Sequence, residues 1–281
     1  MAMAMAMTGS SVVQRFHPLE LEEKMTEDST IWQQMSINYF YSLLQDRCLC
    51  FKVHSKYPPR DERKFSDYES VFYPKEACWH NSDVEKAIKQ ILKDLSEITY
   101  ISCWYSSESL TDIVFKEYTK GNVGVAIGTT WNKLQTALCN AMVAPEDEFY
   151  FGHVVYRKAN ECKADKELKT CNVLTPFFIK SQNHEADREF RLCYLKNSEL
   201  IKDKERWEYV QNNRNIVSPA FLNIGDPSKL ISKVAVRSDD ISTRNLTKFL
   251  IENCLKKPVT IETDETKKID GFYILKIEGV D

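Results

Sequence analysis

The sequence is short of several things that would settle its class at once. No stretch approaches the ~18 consecutive apolar residues that a membrane-crossing helix needs, so no membrane partner is expected. There is no Gly-x-x-x-x-Gly-Lys-Ser/Thr loop to cradle a phosphate, no Gly-x-Ser-x-Gly elbow to present a serine, and no His-Glu-x-x-His pair to grip zinc. Common kinase, hydrolase and metalloprotease readings therefore lose their support. The 8 glycines build no Gly-rich strand-to-helix turn, which argues against a doubly wound nucleotide fold. The 5 histidines and 9 cysteines show no Cys-x-x-Cys or other ligand spacing, so no bound metal is expected. One-sided charge is missing too. With 38 basic against 41 acidic side chains, the formal charge of -3 lacks the basic excess of a general nucleic-acid binder.

What is present is enough to build a core: 43% of the residues are apolar, with 14 Phe and 13 Tyr among them. The odd set of cysteines, scattered from Cys48 to Cys254, reads as reduced thiols packed like small hydrophobes, which points to a reducing, cytoplasmic setting. Met1 to Ser10 alternates Met and Ala before Thr8, Gly9 and Ser10, without the basic start and apolar run of a secretion signal. These residues are set aside as a leader, and a single α+β domain is expected over 11–281.

Periodicity gives the elements. Ile31, Trp32, Met35, Phe40, Leu43 and Leu44 recur mostly at helical spacing, predicting a helix from Thr30 to Leu44 capped by Ser29 or Thr30. A second helix is expected after Asn81-Ser82-Asp83, with Val84, Ala87, Ile88, Ile91, Leu92 and Leu95 as its apolar stripe. Helices are also expected over Trp131 to Ala141, Glu199 to Asn212 and Thr243 to Leu255. Strands are predicted for Cys48 to His54, Thr99 to Tyr105, Val123 to Thr129, Phe151 to Arg157, Phe190 to Leu195, Lys233 to Val236, Val259 to Glu262 and Gly271 to Ile277. Their irregular interleaving predicts an α+β fold, a mostly antiparallel mixed sheet with helices packed around it.

Three places carry chemistry. In Asp187-Arg188-Glu189-Phe190-Arg191 acids and bases alternate where a strand begins, and a period of two puts Asp187, Glu189 and Arg191 on one face. That is either a cross-strand ion-pair network or a site. Ile101 to Ser109 is a strand ending in aromatics and then hydroxyls, a usual place for exposed reactive side chains. His54 is a lone imidazole at the end of another strand. Cys103 sits among apolar neighbours, where a thiol is more often inert than activated.

In order along the chain, Ser102-Cys103-Trp104-Tyr105-Ser106, Val114-Phe115-Lys116-Glu117-Tyr118, Gly124-Val125-Ala126-Ile127-Gly128 and Asp187-Arg188-Glu189-Phe190-Arg191 resemble the hallmarks of the bacterial domain-of-unknown-function family 2971. Those hallmarks are a Ser-Cys-Phe-Ser strand, a Met-Trp-x-x-Tyr helix, a Gly-Val-x-Ile-Gly strand and a late Glu-x-Glu-Trp/Phe-Arg strand. Val114, Phe115 and Asp187 depart from that pattern while keeping its chemical type.

More distantly, the order of sites is similar to that of ADP-ribosyltransferases, which take an Arg or His, a Ser-x-Ser or Tyr, and a Glu-x-Glu pair from three separate strands. This resemblance implies an ADP-ribosyltransferase-like core consuming NAD, with His54, then Tyr105, Ser106 and Ser107, then Asp187 and Glu189 as its site. Glu189 would stabilise the oxocarbenium-like ribose, and Asp187 would orient or deprotonate the acceptor, a protein or nucleic acid. Trp104 or Tyr105 would stack on nicotinamide, His54 would bond the adenosine ribose, Ser106 would hold Glu189, and Arg191 or Arg188 would meet the pyrophosphate. Two rivals remain open: a hydrolase of nucleotides or nucleic acid using Asp187, Glu189 and a recruited divalent ion, and a non-catalytic binding or regulatory domain.

Overall fold

The computed structural model describes residues 16–18, 26–53, 86, 90, 91, 94–96, 98–108, 110, 115, 123–141, 147–157, 174–195, 219–237, 239–262 and 272–277. Among these, the strands are β1 (Phe16–Pro18), β2 (Thr30–Ser36), β3 (Cys48–Val53), β4 (Thr99–Ser106), β5 (Gly124–Thr130), β6 (Glu148–His153), β7 (Val155–Arg157), β8 (Ile179–Ser181), β9 (Glu189–Leu195), β10 (Ala220–Asn223), β11 (Lys233–Arg237), β12 (Val259–Glu262) and β13 (Phe272–Ile277). Eleven of them join in one sheet whose path runs β1-β6-β9-β4-β2-β5-β11-β13-β12, with β3 and β10 branching from β4. The strands β7 and β8 form a separate pair. Every pairing in the large sheet is antiparallel except β1 with β6. The helices α1 (Ile37–Gln45), α2 (Trp131–Asn140) and α3 (Ile241–Cys254) complete the α+β architecture.

Two predicted elements are divided by the structure. The helix expected from Thr30 to Leu44 is strand β2 followed by α1. Thr30, Ile31 and Trp32 have the branched and aromatic side chains that suit a strand, and all seven residues of β2 pair with β5. The helix starts only after Ser36, which is extended (φ -66, ψ 157) and whose hydroxyl accepts from the Tyr39 amide. The strand expected from Phe151 to Arg157 is split at Val154, whose amide donates to the Glu189 carbonyl at 2.8 Å. Before the break β6 pairs with β9, and after it β7 turns to β8.

Of the second predicted helix, positions 86, 90, 91, 94–96 and 98 are helical. Leu95 is buried, whereas Ile91, placed on the same stripe, is exposed. The rest of that helix, the helix expected over Glu199 to Asn212, and His54 lie outside the described residues.

The sheet forks at β4. One edge of β4 pairs with β9 along its length, from Thr99 against Leu195 to Tyr105 against Glu189. The other edge is shared. β2 meets it only at Ile31 with Ser106 and Trp32 with Tyr105, while β3 meets it at Lys52 with Ile101 and Val53 with Tyr100. Beyond Trp32, β2 leaves β4 and follows β5. One face of the sheet is covered by the three helices, which bury Phe40, Leu134 and Ile251 against Trp104, Phe190 and Leu192. On the opposite face lie two smaller clusters. One joins Trp32, Tyr105, Phe115 and Phe272, and the other joins Ile101 and Cys193 to Phe177, Phe178 and Ile179.

Trp32 is fixed where the fork opens. Its indole N–H donates to the Ser107 carbonyl at 3.0 Å, Lys233 Nζ stands 5.2 Å from the ring centroid, and the opposed residue on β5 is Gly128. A Cβ at position 128 would lie 2.7 Å from the Trp32 ring and 3.0 Å from Lys233 Cγ. Gly128→Ala is therefore expected to cost about 1–3 kcal/mol of overpacking, read from the urea midpoint. An unchanged midpoint would mean that the indole moves aside without cost.

Candidate functional site

Glu189 opens β9, and the chain reaches it through an unusual turn. Residues Gln182–Asp187 form a 3-10 helix closed by Arg188, which takes the left-handed conformation at φ 37, ψ 49. Asp187 therefore lies on that turn and not on the strand. The predicted alternation holds for Glu189 and Arg191 alone, and it is a lysine that brings Asp187 to them.

Lys180 of β8 donates to Asp187 Oδ2 at 2.7 Å and to Glu189 Oε2 at 2.9 Å. Arg191 grips the same glutamate with two nitrogens, Nε to Oε1 at 2.5 Å and Nη2 to Oε2 at 3.2 Å, and gives Nη1 to the Phe177 carbonyl. His184 Nδ1 stands 3.8 Å from Asp187 Oδ2. Two acids and two bases thus close a buried quartet. Arg191 is 0% exposed and the Glu189 side chain 1%.

Burial by itself would push the Glu189 carboxyl up. The Arg191 guanidinium and then the Lys180 ammonium outweigh it, with hydrogen bonds from Arg191 and the Cys103 thiol, and hold it well below the usual carboxylate range. Burial also works against the charge on Lys180, which Glu189 and Asp187 more than restore, so its pKa lies above the ordinary value. Cys103 is the register partner of Arg191, and through its bond to Glu189 it belongs to the cluster and not only to its apolar neighbours.

Beside the quartet is a cleft of about 520 Å³, and Ser106, His153, Tyr156, Glu185, Arg188 and Glu189 are on its wall. The Glu189 amide donates to the Tyr156 hydroxyl at 2.8 Å. Burial, and after it the charge of Glu189, push that phenol far above the ordinary tyrosine value. The Ser106 amide donates to the Arg188 carbonyl at 2.9 Å, which ties the end of β4 to the turn before β9.

The residues singled out in the sequence fall into separate groups. Tyr105 is opposed to Glu189, on the same face, and is buried in the cluster with Trp32. Ser106 reaches the cleft. Ser107 is at its carbonyl a partner of Trp32. Trp104 is on the other face of β4, buried against the helices with its indole N–H on Ser102 Oγ, so it is turned away from any ligand near Glu189. Arg191 is enclosed and saturated, so the pyrophosphate contact considered for it is left to Arg188, which is exposed.

His54 lies outside the described residues, and the strand before it meets β4 toward its other end. Val53 is opposed to Tyr100, five residues and roughly 17 Å along β4 from Tyr105. Sequence reasoning missed Lys180 and Tyr156. The signal for Lys180 was a single charge closing the apolar run Phe177-Phe178-Ile179. Tyr156 had none, because its role depends on where the predicted strand breaks.

The depressed pKa of Glu189 fixes the sign of its contribution to stability. A carboxylate more acidic in the folded chain stabilises it fully above the unfolded value of 4.5, and that contribution is lost as pH falls through the folded value. Glu189→Gln leaves the buried quartet with one cation in excess and is expected to cost about 3–5 kcal/mol at pH 7. The difference from wild type should shrink on acidification below about pH 4.5, as followed by chemical denaturation. A difference that stays constant with pH would show that the carboxylate charge is not what stabilises the quartet. Compared as a whole, the chain matches no family model, no curated protein and no solved structure.

Proposed function

We propose that this chain is an NAD-consuming enzyme of the ADP-ribosyl-transfer type, with Glu189 as its central carboxylate. One observation carries the reading, a row across three adjacent strands. Trp32 of β2 is the register partner of Tyr105 of β4, and Tyr105 is the register partner of Glu189 of β9. Opposed residues of antiparallel pairs stand on the same face, so a strand residue, a tyrosine and a glutamate line up side by side. The first position falls to β2 and not to the strand before His54. Ser106 and Glu189 also share the wall of the cleft, whose size suits a nucleotide-sized ligand.

The chemistry follows from that placement. When the bond between ribose C1′ and the nicotinamide nitrogen breaks, the bonding pair leaves with nicotinamide and positive charge remains on the sugar ring. An acceptor oxygen or nitrogen then bonds C1′ and gives up its proton to solvent water in the open cleft. An ionised carboxylate stabilises the charge between these events. Arg191 and Lys180 keep Glu189 ionised, and the contact with Lys180 gives way when the ribose takes its place. Asp187 serves by holding Lys180. The hydroxyl of Ser106 meets a ribose hydroxyl.

A second reading rests on a different observation: the Glu189 side chain is 1% exposed and accepts from Lys180, Arg191 and Cys103. On that reading the quartet is an ion-pair pin and the cleft belongs to a binding domain. A divalent-ion hydrolase is favoured least, because the Lys180 ammonium bridges the two carboxylates where such an ion would have to sit.

Release of nicotinamide decides between them without knowledge of the acceptor. Wild-type protein is expected to release it from NAD. Glu189→Asp, which keeps the charge but withdraws it by a methylene, is expected to lose at least about 100-fold in rate with its circular dichroism unchanged. Wild-type protein that neither melts higher with NAD nor releases nicotinamide would leave the binding-domain reading in its place.

A further inference from the structure

We infer that Arg188, together with the Tyr156 phenol, forms a subsite for a ligand's diphosphate group in the cleft beside Glu189. The inference takes the identity of its ligand from the NAD reading, but it stands on other residues. Arg188 is the first ground. It is a non-glycine residue at φ 37, in a region that costs an L-residue roughly 1–2 kcal/mol. Two backbone bonds hold it there, from its own amide to the Glu185 carbonyl at 3.2 Å and from the Ser106 amide to its carbonyl at 2.9 Å. A glycine would make the same turn without strain. Strain kept at a cleft wall points to the side chain as the reason for it. The guanidinium is exposed, and the other arginine of the segment, Arg191, is buried and spent on Glu189 and Phe177.

Tyr156 is the second ground. An amide N–H only donates, so in the bond from the Glu189 amide the phenol oxygen is the acceptor. The phenol's own proton is left over, and no acceptor takes it among the described residues. Its ionisation is pushed far up by burial and by the charge of Glu189, which keeps it a donor over the whole range in which proteins are handled. A planar guanidinium and a neutral hydroxyl on one wall are the donors that phosphate oxygens call for. The same wall carries Glu185, which opposes simple anions and complements the positive nicotinamide ring. A ligand with both signs therefore fits better than free phosphate.

Calorimetric titration of the full chain with inorganic pyrophosphate and with ADP-ribose tests this. Arg188→Gly removes the guanidinium and the strain together. It is expected to melt no lower than wild type while binding both probes at least about 10-fold more weakly, a loss that misfolding does not explain. Tyr156→Phe is expected to weaken both probes as well. Equal affinity of Arg188→Gly and wild type, or no binding of either probe to wild type, overturns the subsite. The two proposals fail separately. Pyrophosphate bound through Arg188 without any release of nicotinamide sinks the enzyme and keeps the subsite, whereas NAD turnover indifferent to Arg188→Gly does the reverse.

Discussion

The guanidinium of Arg191 lies where no water reaches it, beneath the strap formed by residues 174–188, and an unpaired charge there would cost several kcal/mol. Much of the local architecture answers that demand. Glu189, two residues away on the same face of β9, takes two of its nitrogens, and the Phe177 carbonyl takes another. Glu189 is then itself a buried acid with a surplus of acceptor sites, and Lys180 fills them from above. Lys180 in turn requires Asp187. The strap is therefore held down by a chain of charges that balances only when all four residues are present, and its apolar side chains Phe177, Phe178 and Ile179 pack on the sheet around it.

That arrangement explains which parts of the chain could be read from sequence. Regular elements with a strong local pattern, such as β4, β9 and α2, follow from side-chain types alone. The strand β2 does not, because Ile31, Met35 and later residues fit a helical period equally well, and only the partner β5 decides the matter. Glu189 and Arg191 were legible as a pair on one face because strand alternation is a local rule. Asp187 was placed beside them for the wrong physical reason. A left-handed residue at position 188 breaks the alternation, and the carboxylate returns to the cluster only through Lys180, seven residues earlier in the chain. No periodicity reports such a contact.

The fork in the sheet shapes the site as much as the charges do. If β2 ran beside β4 for its whole length, Trp32 would be one residue in an unbroken ladder. Because β2 parts from β4 there, the indole lies over Gly128, with Lys233 beyond it, and closes the end of the row that passes through Tyr105 to Glu189. A helix-side residue such as Trp104, adjacent in sequence to Tyr105, has no access to that row. Adjacent positions on a strand belong to opposite faces, and the five-residue motif that drew attention to Trp104 and Tyr105 together joins residues that serve different cores.

The same quartet sets a trade between stability and reach. A carboxylate that stabilises a developing positive charge must be ionised and must touch it. The cations that ensure the first condition at Glu189 obstruct the second, since each bond they make occupies an oxygen the ligand would need. Arg191 cannot withdraw, being enclosed by the strand it belongs to and by the strap. Lys180 stands on β8, a three-residue strand whose one strand partner among the described residues is β7, and its ammonium has a second acceptor in Asp187. It can therefore release Glu189 without being left alone. In a site of this build the arginine sets the charge and the lysine sets access, so the two cations that look equivalent in a list of contacts are unequal in what their movement would cost.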